Sequence, residues 1–233
     1  MTSNIYSQNT LDQTTQRLKE LNSVQEILNL KKTKFKDFGI ITTFTELDRK
    51  IDFGYKHYRI LVMPNSGSEL KINFVSKDDE IIIGWVSEYS SNKGVLENQI
   101  FKADKSFNKY YIKKHNDFYN SNLTIEDFEE QIIQEAVVGF GCGEVGLDIP
   151  KESKAMFRWE KNGRINKLND YLKSFSPELQ TLGAIGLLKI NDLSKEQTKI
   201  INHLKMRNSV IMSCSGCLYG LNDTFNDLIE SYE

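Results

Sequence analysis

The feature that most constrains this chain is a change of hydrophobic period along it. Between residues 39 and 86, β-branched and aromatic residues come in short runs separated by turn sequences, whereas from Ile125 onward the apolar residues recur at helical spacing. Strands gathered in one half and helices in the other predict an α+β fold rather than a parallel sheet with alternating helices. The expected architecture is an N-terminal antiparallel β-meander with a covering helix, followed by an α-helical half. Domains are drawn at 1–122 and 123–233, or as one continuous unit, and 233 residues are enough for either.

In the first half, Leu18, Leu21, Val24, Ile27 and Leu28 predict one amphipathic helix over residues 11–30. It runs into Lys31, Lys32, Lys34 and Lys36 and is released at Gly39. Strands are expected at 39–44, 58–63, 70–75 and 81–86, with Pro64-Asn65-Ser66-Gly67 and Ser76-Lys77-Asp78-Asp79 as hairpin turns. The alternation in Leu70-Lys71-Ile72-Asn73-Phe74 predicts one buried and one wet face. Ile81-Ile82-Ile83 reads as a central strand covered on both.

In the second half, Thr124 followed by Glu126 and Asp127 reads as an N-cap opening a helix over 125–138. That helix leads into Gly141, Gly143 and Gly146, which spell GxGxxG. A dinucleotide fingerprint needs a strand before it and a helix starting at its third glycine, so these glycines are read as a tight irregular turn. Further helices are expected near 155–159 and 165–175. Ser176-Pro177-Glu178 opens another, in which Gly183, Ala184 and Gly186 let a neighbouring backbone approach, and Ser194 and Gln197 form a capping box for the next. Together, Ser176-Pro177-Glu178-Leu179-Gln180, Gly183-Ala184-Ile185-Gly186-Leu187 and Cys214-Ser215-Gly216-Cys217 resemble a bacterial protein family with a proline-led helix, a small-residue helix and a final CxGC motif. The resemblance covers about residues 140–220 and implies no established activity.

Chemistry is sought first at the cysteines. Cys214 and Cys217 have the CxxC spacing of a zinc half-site, Cys142 is a third candidate ligand, and His203 or His115 is a fourth. A thioredoxin-like reading is disfavoured because too little chain follows Cys217. The favoured reading of the cysteines is as small buried residues around glycine-rich turns, with room for an opportunistic disulfide. A second candidate is the interleaving of lysines with aromatics over 101–120, with Lys105, Lys109, Tyr110, Tyr111 and Lys113 as binding residues. These could stack on single-stranded bases and neutralise phosphates, or alternate along a half-buried strand such as 109–113. The balance of 30 basic against 32 acidic residues gives no overall attraction to nucleic acid or anionic membrane. There is no run of about 18 apolar residues and no leader pattern, so a cytoplasmic protein without membrane contact is expected. The chain holds no GxSxG elbow, P-loop, HExxH or calcium loop, and no enzyme class is favoured. The leading expectation is a non-catalytic protein-interaction factor with a protein partner, of immunity or adaptor type in a bacterial conflict or regulatory system. The alternatives are a thiol-dependent zinc protein and, after it, a single-strand nucleic-acid binder. Zinc is the one cofactor considered.

Overall fold

The computed structural model describes residues 2–33, 40–64, 69–90, 93–143, 145–190 and 192–230. Lys34, Lys36 and Gly39 of the expected helix end, and Asn65, Ser66 and Gly67 of the first expected turn, lie outside them. The chain divides into two compact units, Met1–Tyr111 and Ile112–Glu233, so the boundary falls before the helix that ends near residue 120 rather than after it.

The first unit is the expected meander, with one more strand than the sequence suggested. Strands β1 (Ile40–Lys50), β2 (Lys56–Pro64), β3 (Glu69–Lys77), β4 (Glu80–Ser90) and β5 (Gly94–Ala103) pair antiparallel in sequential order. The expected single helix over 11–30 is two helices, α1 (Thr2–Lys19) and α2 (Val24–Thr33). The break is capped: the Glu26 carboxylate accepts from the backbone N–H of Asn22 and Ser23, while Ser23 Oγ accepts from Glu26 N–H. It is also tied to the β3–β4 turn, because Val24 N–H donates to the Asp79 carbonyl and Ile81 N–H to that of Asn22. These helices cover one sheet face, on which Leu11, Leu18, Val24 and Ile27 pack with Tyr58, Ile60, Val62, Leu70, Ile72, Phe74 and Val86.

The second unit contains α3 (Lys113–Tyr119), α4 (Ile125–Ile133), β6 (Val138–Cys142), α5 (Lys151–Lys161), α6 (Ile165–Leu172), α7 (Pro177–Ile190), α8 (Lys195–Arg207), β7 (Val210–Gly216), β8 (Leu218–Thr224) and α9 (Phe225–Glu230). Thr124 and Ser194 both form reciprocal capping boxes, with Asp127 and Gln197 respectively. Helix α7 is buried on nearly every side, and at Gly183 a side chain would collide with the α6 backbone at Leu168 and Leu172. The small residues therefore set the α6–α7 separation. This half is not purely helical: β6, β7 and β8 form a sheet in that order, β6 parallel and β8 antiparallel to β7.

The second face of the five-stranded sheet departs from the alternation argument. Every residue from Leu70 to Ser76 is buried, Lys71 and Asn73 included, so the expected wet face is not wet. Its polar side chains pair with one another instead of water, with Asn73 Nδ2 left without a hydrogen-bond partner among the described residues. Arg49 Nε donates to His57 Nδ1 at 3.2 Å, and Asn73 Oδ1 lies 2.8 Å from Arg59 Nε and 3.2 Å from His57 Nε2. Since Arg49 can only donate, His57 is neutral with its proton on Nε2, which it gives to Asn73. Lys71 Nζ lies 3.8 Å from the Glu46 carboxylate and 4.1 Å from the Tyr89 ring centroid.

Complete burial, then the positive charges of Arg49 and Arg59, hold the His57 imidazole well below its ordinary value of 6.5. The unfolded chain therefore binds a proton that the folded chain refuses, and stability falls as pH drops through the unfolded-state value. Between about pH 6.5 and 5, above the range where most carboxylates titrate, this group should remove up to about 1.4 kcal/mol per pH unit. Urea unfolding at about pH 7, 6 and 5 should show that slope in the wild type and a shallower one in His57→Gln. Equal slopes would rule out a neutral buried His57.

Candidate functional site

The cysteines meet, though not as the CxxC pair. Strands β6 and β7 lie side by side with Val138 opposite Ser213 and Gly139 opposite Cys214, and Cys142 is joined to Cys214 by a disulfide. Gly139 is what allows it: a Cβ at that position would lie on both sulfurs. Cys217 is a free, exposed thiol. In the β7–β8 hairpin Ser215 pairs with Leu218, which leaves Gly216 and Cys217 as a two-residue turn. Gly216 takes a positive φ of 55° at the first turn position, while Cys217 does not share it, as the glycine-first hairpin turn requires. The CxxC motif is thus a strand end plus a turn, with one sulfur facing β6 and the other facing out.

The other proposed metal ligands are engaged elsewhere. His115 is buried between Tyr119 and Phe175, each ring centroid 4.2 Å away, with Nε2 3.3 Å from the Ser174 carbonyl. His203 packs on Phe118 at 4.5 Å. Among the described residues, no group of three or more His, Cys, Asp or Glu side chains is placed to hold a metal ion. Of the proposed nucleic-acid residues, Lys105, Lys109 and Tyr110 are exposed in the first unit and Lys113 in the second. Tyr111 is buried, packed on Tyr55 at 5.0 Å and on Phe107 at 4.9 Å. The strand reading of 109–113 is replaced by a wide helical turn, Asn108–Ile112, leading into α3. Lys113 pairs with Asp117 at 2.6 Å.

What the disulfide organises is a pair of loops. Because β6 and β7 are parallel and Cys142 is opposite Gly216, the chain leaving β6 and the turn leaving β7 emerge side by side. The loop after β6 is closed by two backbone bonds, Cys142 N–H to the Asp148 carbonyl at 2.6 Å and Asp148 N–H to that of Cys142 at 2.8 Å. Gly143 and Gly146 adopt φ of 82° and 66°, a region that costs other residues dearly. At Gly143 a Cβ would also run into the Asp148 carboxylate. The glycine turn expected from the sequence is present, but a strand rather than a helix leads into it. The next helix opens only after Pro150, so no helix N-terminus stands at Gly146 to receive a pyrophosphate.

The tips of these loops carry aliphatic side chains in water: Val145 is 77% exposed, Leu147 78% and Leu218 58%. Their bases are held from within. Glu178, at the start of α7, accepts from Met212 N–H at 3.0 Å with one carboxylate oxygen and from Ser176 Oγ at 3.0 Å with the other. Ser213 Oγ lies against the Asp223 carboxylate across the hairpin. The sequence reading missed this surface. The available signal was Ser215-Gly216-Cys217-Leu218, a glycine-first hairpin turn after the apolar run of β7.

The bridge spans 72 residues of sequence, and on chain-entropy grounds such a closure is worth about 4 kcal/mol. Denatured but unreduced wild-type protein should titrate a single thiol, Cys217. Gly139→Ala, whose new methyl group would occupy the space of both sulfurs, should titrate close to three. A wild-type chain purified under oxidising conditions that titrates three would overturn the bridge. Among the described residues no helix is long and apolar enough to cross a membrane. No family model, curated protein or solved structure matches the chain.

Proposed function

We propose that this chain is a non-catalytic protein-interaction factor, of immunity or adaptor type, and that its contact surface is the pair of loops tied together by Cys142–Cys214. The observation that carries this reading is the exposure of Val145, Leu147 and Leu218 on loops with fixed bases. Burying three such side chains under a partner would contribute roughly 5–9 kcal/mol before the costs of association. Tied at its base by the disulfide and by two backbone bonds to Asp148, the loop after β6 has less freedom to lose on binding than an open loop would, so more of that gain is kept as affinity.

A photo-crosslinking residue placed at 147 in the native cell should give one light-dependent adduct of defined mass. The same residue at 161, exposed on α5, should give none. Val145→Asp combined with Leu218→Asp should reduce the adduct at least tenfold, about 1.4 kcal/mol, without changing the unfolding midpoint. Equal adduct patterns at 147 and 161, or an adduct indifferent to the aspartates, would remove the support for this reading.

A further inference from the structure

Elsewhere in the C-terminal unit lies a cleft of about 450 Å³, within the roughly 300–1,000 Å³ usual for small-molecule sites. One wall is the polar stripe of α6 continued by the residue after it, where Asn166, Asn169, Asp170 and Lys173 fall at helical spacing on one side. The other wall is the loop between α3 and α4, with Asn120 and Asn122.

This loop has a defined shape. Asn116 Oδ1 accepts from Ser121 Oγ at 2.7 Å and from Leu123 N–H at 3.0 Å, while Asn116 Nδ2 donates to the Leu123 carbonyl at 2.8 Å. Asn120 ends α3 in the left-handed region, φ 51°, with its own N–H on the Asn116 carbonyl. One half-buried side-chain amide therefore ties Ser121 to Leu123, and the cleft wall exists before any ligand arrives.

The charges at the cleft are already neutralised by neighbours. Lys173 Nζ lies 2.9 Å from the Glu196 carboxylate, and Asp170 pairs with Lys167 at 3.3 Å. What the cleft offers is amide chemistry. Asn122 and Asn166 are exposed, and each side chain presents one acceptor and two donors. Asn169 Oδ1 accepts from Gln197 Nε2 at 2.8 Å, which leaves its amide N–H groups as donors. An anion would gain little from an already paired lysine. A peptide would find only Leu123 to receive its apolar side chains. A sugar hydroxyl, which donates and accepts at once, matches groups that do the same.

The geometry points to this cleft as a binding site for a neutral, hydroxyl-rich ligand, a mono- or disaccharide, held between the asparagines of α6 and Asn122 of the α3–α4 loop, Asn120 being engaged by Glu196 and Lys173. The site is separate from the loop pair assigned to protein contact, and the two readings stand or fall independently.

The test uses the full ¹⁵N-labelled chain and its asparagine side-chain resonances, titrated separately with glucose, galactose, mannose, N-acetylglucosamine and trehalose. At least one sugar should saturate with a Kd on the order of 1 mM, with shifts centred on residues 120–123 and 166–173. Asn122→Ala and Asn166→Ala, both at exposed positions, should each weaken it by about fivefold while the rest of the spectrum stays unchanged. No saturation by roughly 50 mM for any of the five would overturn the site. So would a capped triglycine peptide or inorganic phosphate that shifts the same amides at lower concentration than every sugar.

Discussion

Parallel strands cannot be joined by a tight turn, and the parallel pairing of β6 with β7 therefore dictates the C-terminal unit. Everything from residue 143 to 209 must be a crossover, and the chain spends it on α5, α6, α7 and α8. One helix of this crossover is buried on nearly every side. That helix is α7, whose apolar surface has no wet stripe and whose glycines admit α5 and α6 at close range. Glu178 at its first turn then reaches the β7 backbone at Met212, so the helix that fills the core also sets the position of the strand. The Cys142–Cys214 bridge ties the two ends of this crossover together covalently.

In the N-terminal unit the corresponding constraint is polar. A sheet whose second face buries Arg49, His57, Arg59, Lys71 and Asn73 must satisfy them internally, since an unpaired buried charge costs several kcal/mol. Asn73 stands at the centre because a single carbonyl oxygen can accept from both His57 and Arg59. The arrangement also fixes register. A slip of one residue in β3 would move Asn73 onto the α1–α2 side, among Leu18, Ile60 and Val86, and bring an apolar neighbour against two guanidinium groups. The network thereby penalises the alternative pairings that a strand-rich meander invites.

How far the fold could be read from the sequence follows from the range of each interaction. Capping is local: Thr124 with Asp127 and Ser194 with Gln197 are separated by three residues, and Pro177 needs only its own ring, so these helix starts were legible. Strand β5 was not, because Glu97, Asn98 and Gln99 at its middle dilute the β-branched signal, and its partner is what makes it a strand. The alternation of Leu70 to Phe74 correctly separates two faces but says nothing of what covers the second. The polar residues that satisfy Lys71 and Asn73 come from β1, β2 and β4, which no window of β3 contains. At the candidate site the thiols stood out by composition, but their pairing depended on a parallel contact between segments 72 residues apart. The CxxC spacing misleads here because a hairpin turn separates its two cysteines. Cys214 lies on the strand and faces Gly139, and Cys217 sits in the turn.

The same topology separates what is buried in this region, the sulfur bridge, from what is exposed, the loop tips. A buried bridge between strands with no side chain at Gly139 is a structural tie. Left-handed backbone at Gly143 and Gly146, two closing hydrogen bonds at Asp148 and a covalent bond at Cys142 are all constraints on the base of one short loop. Its aliphatic side chains take no part in the fold's core and draw no burial from it. What those constraints determine is where Val145 and Leu147 stand in solvent, beside Leu218 on the neighbouring turn. A partner of the kind proposed would meet these side chains on a backbone already constrained at its base.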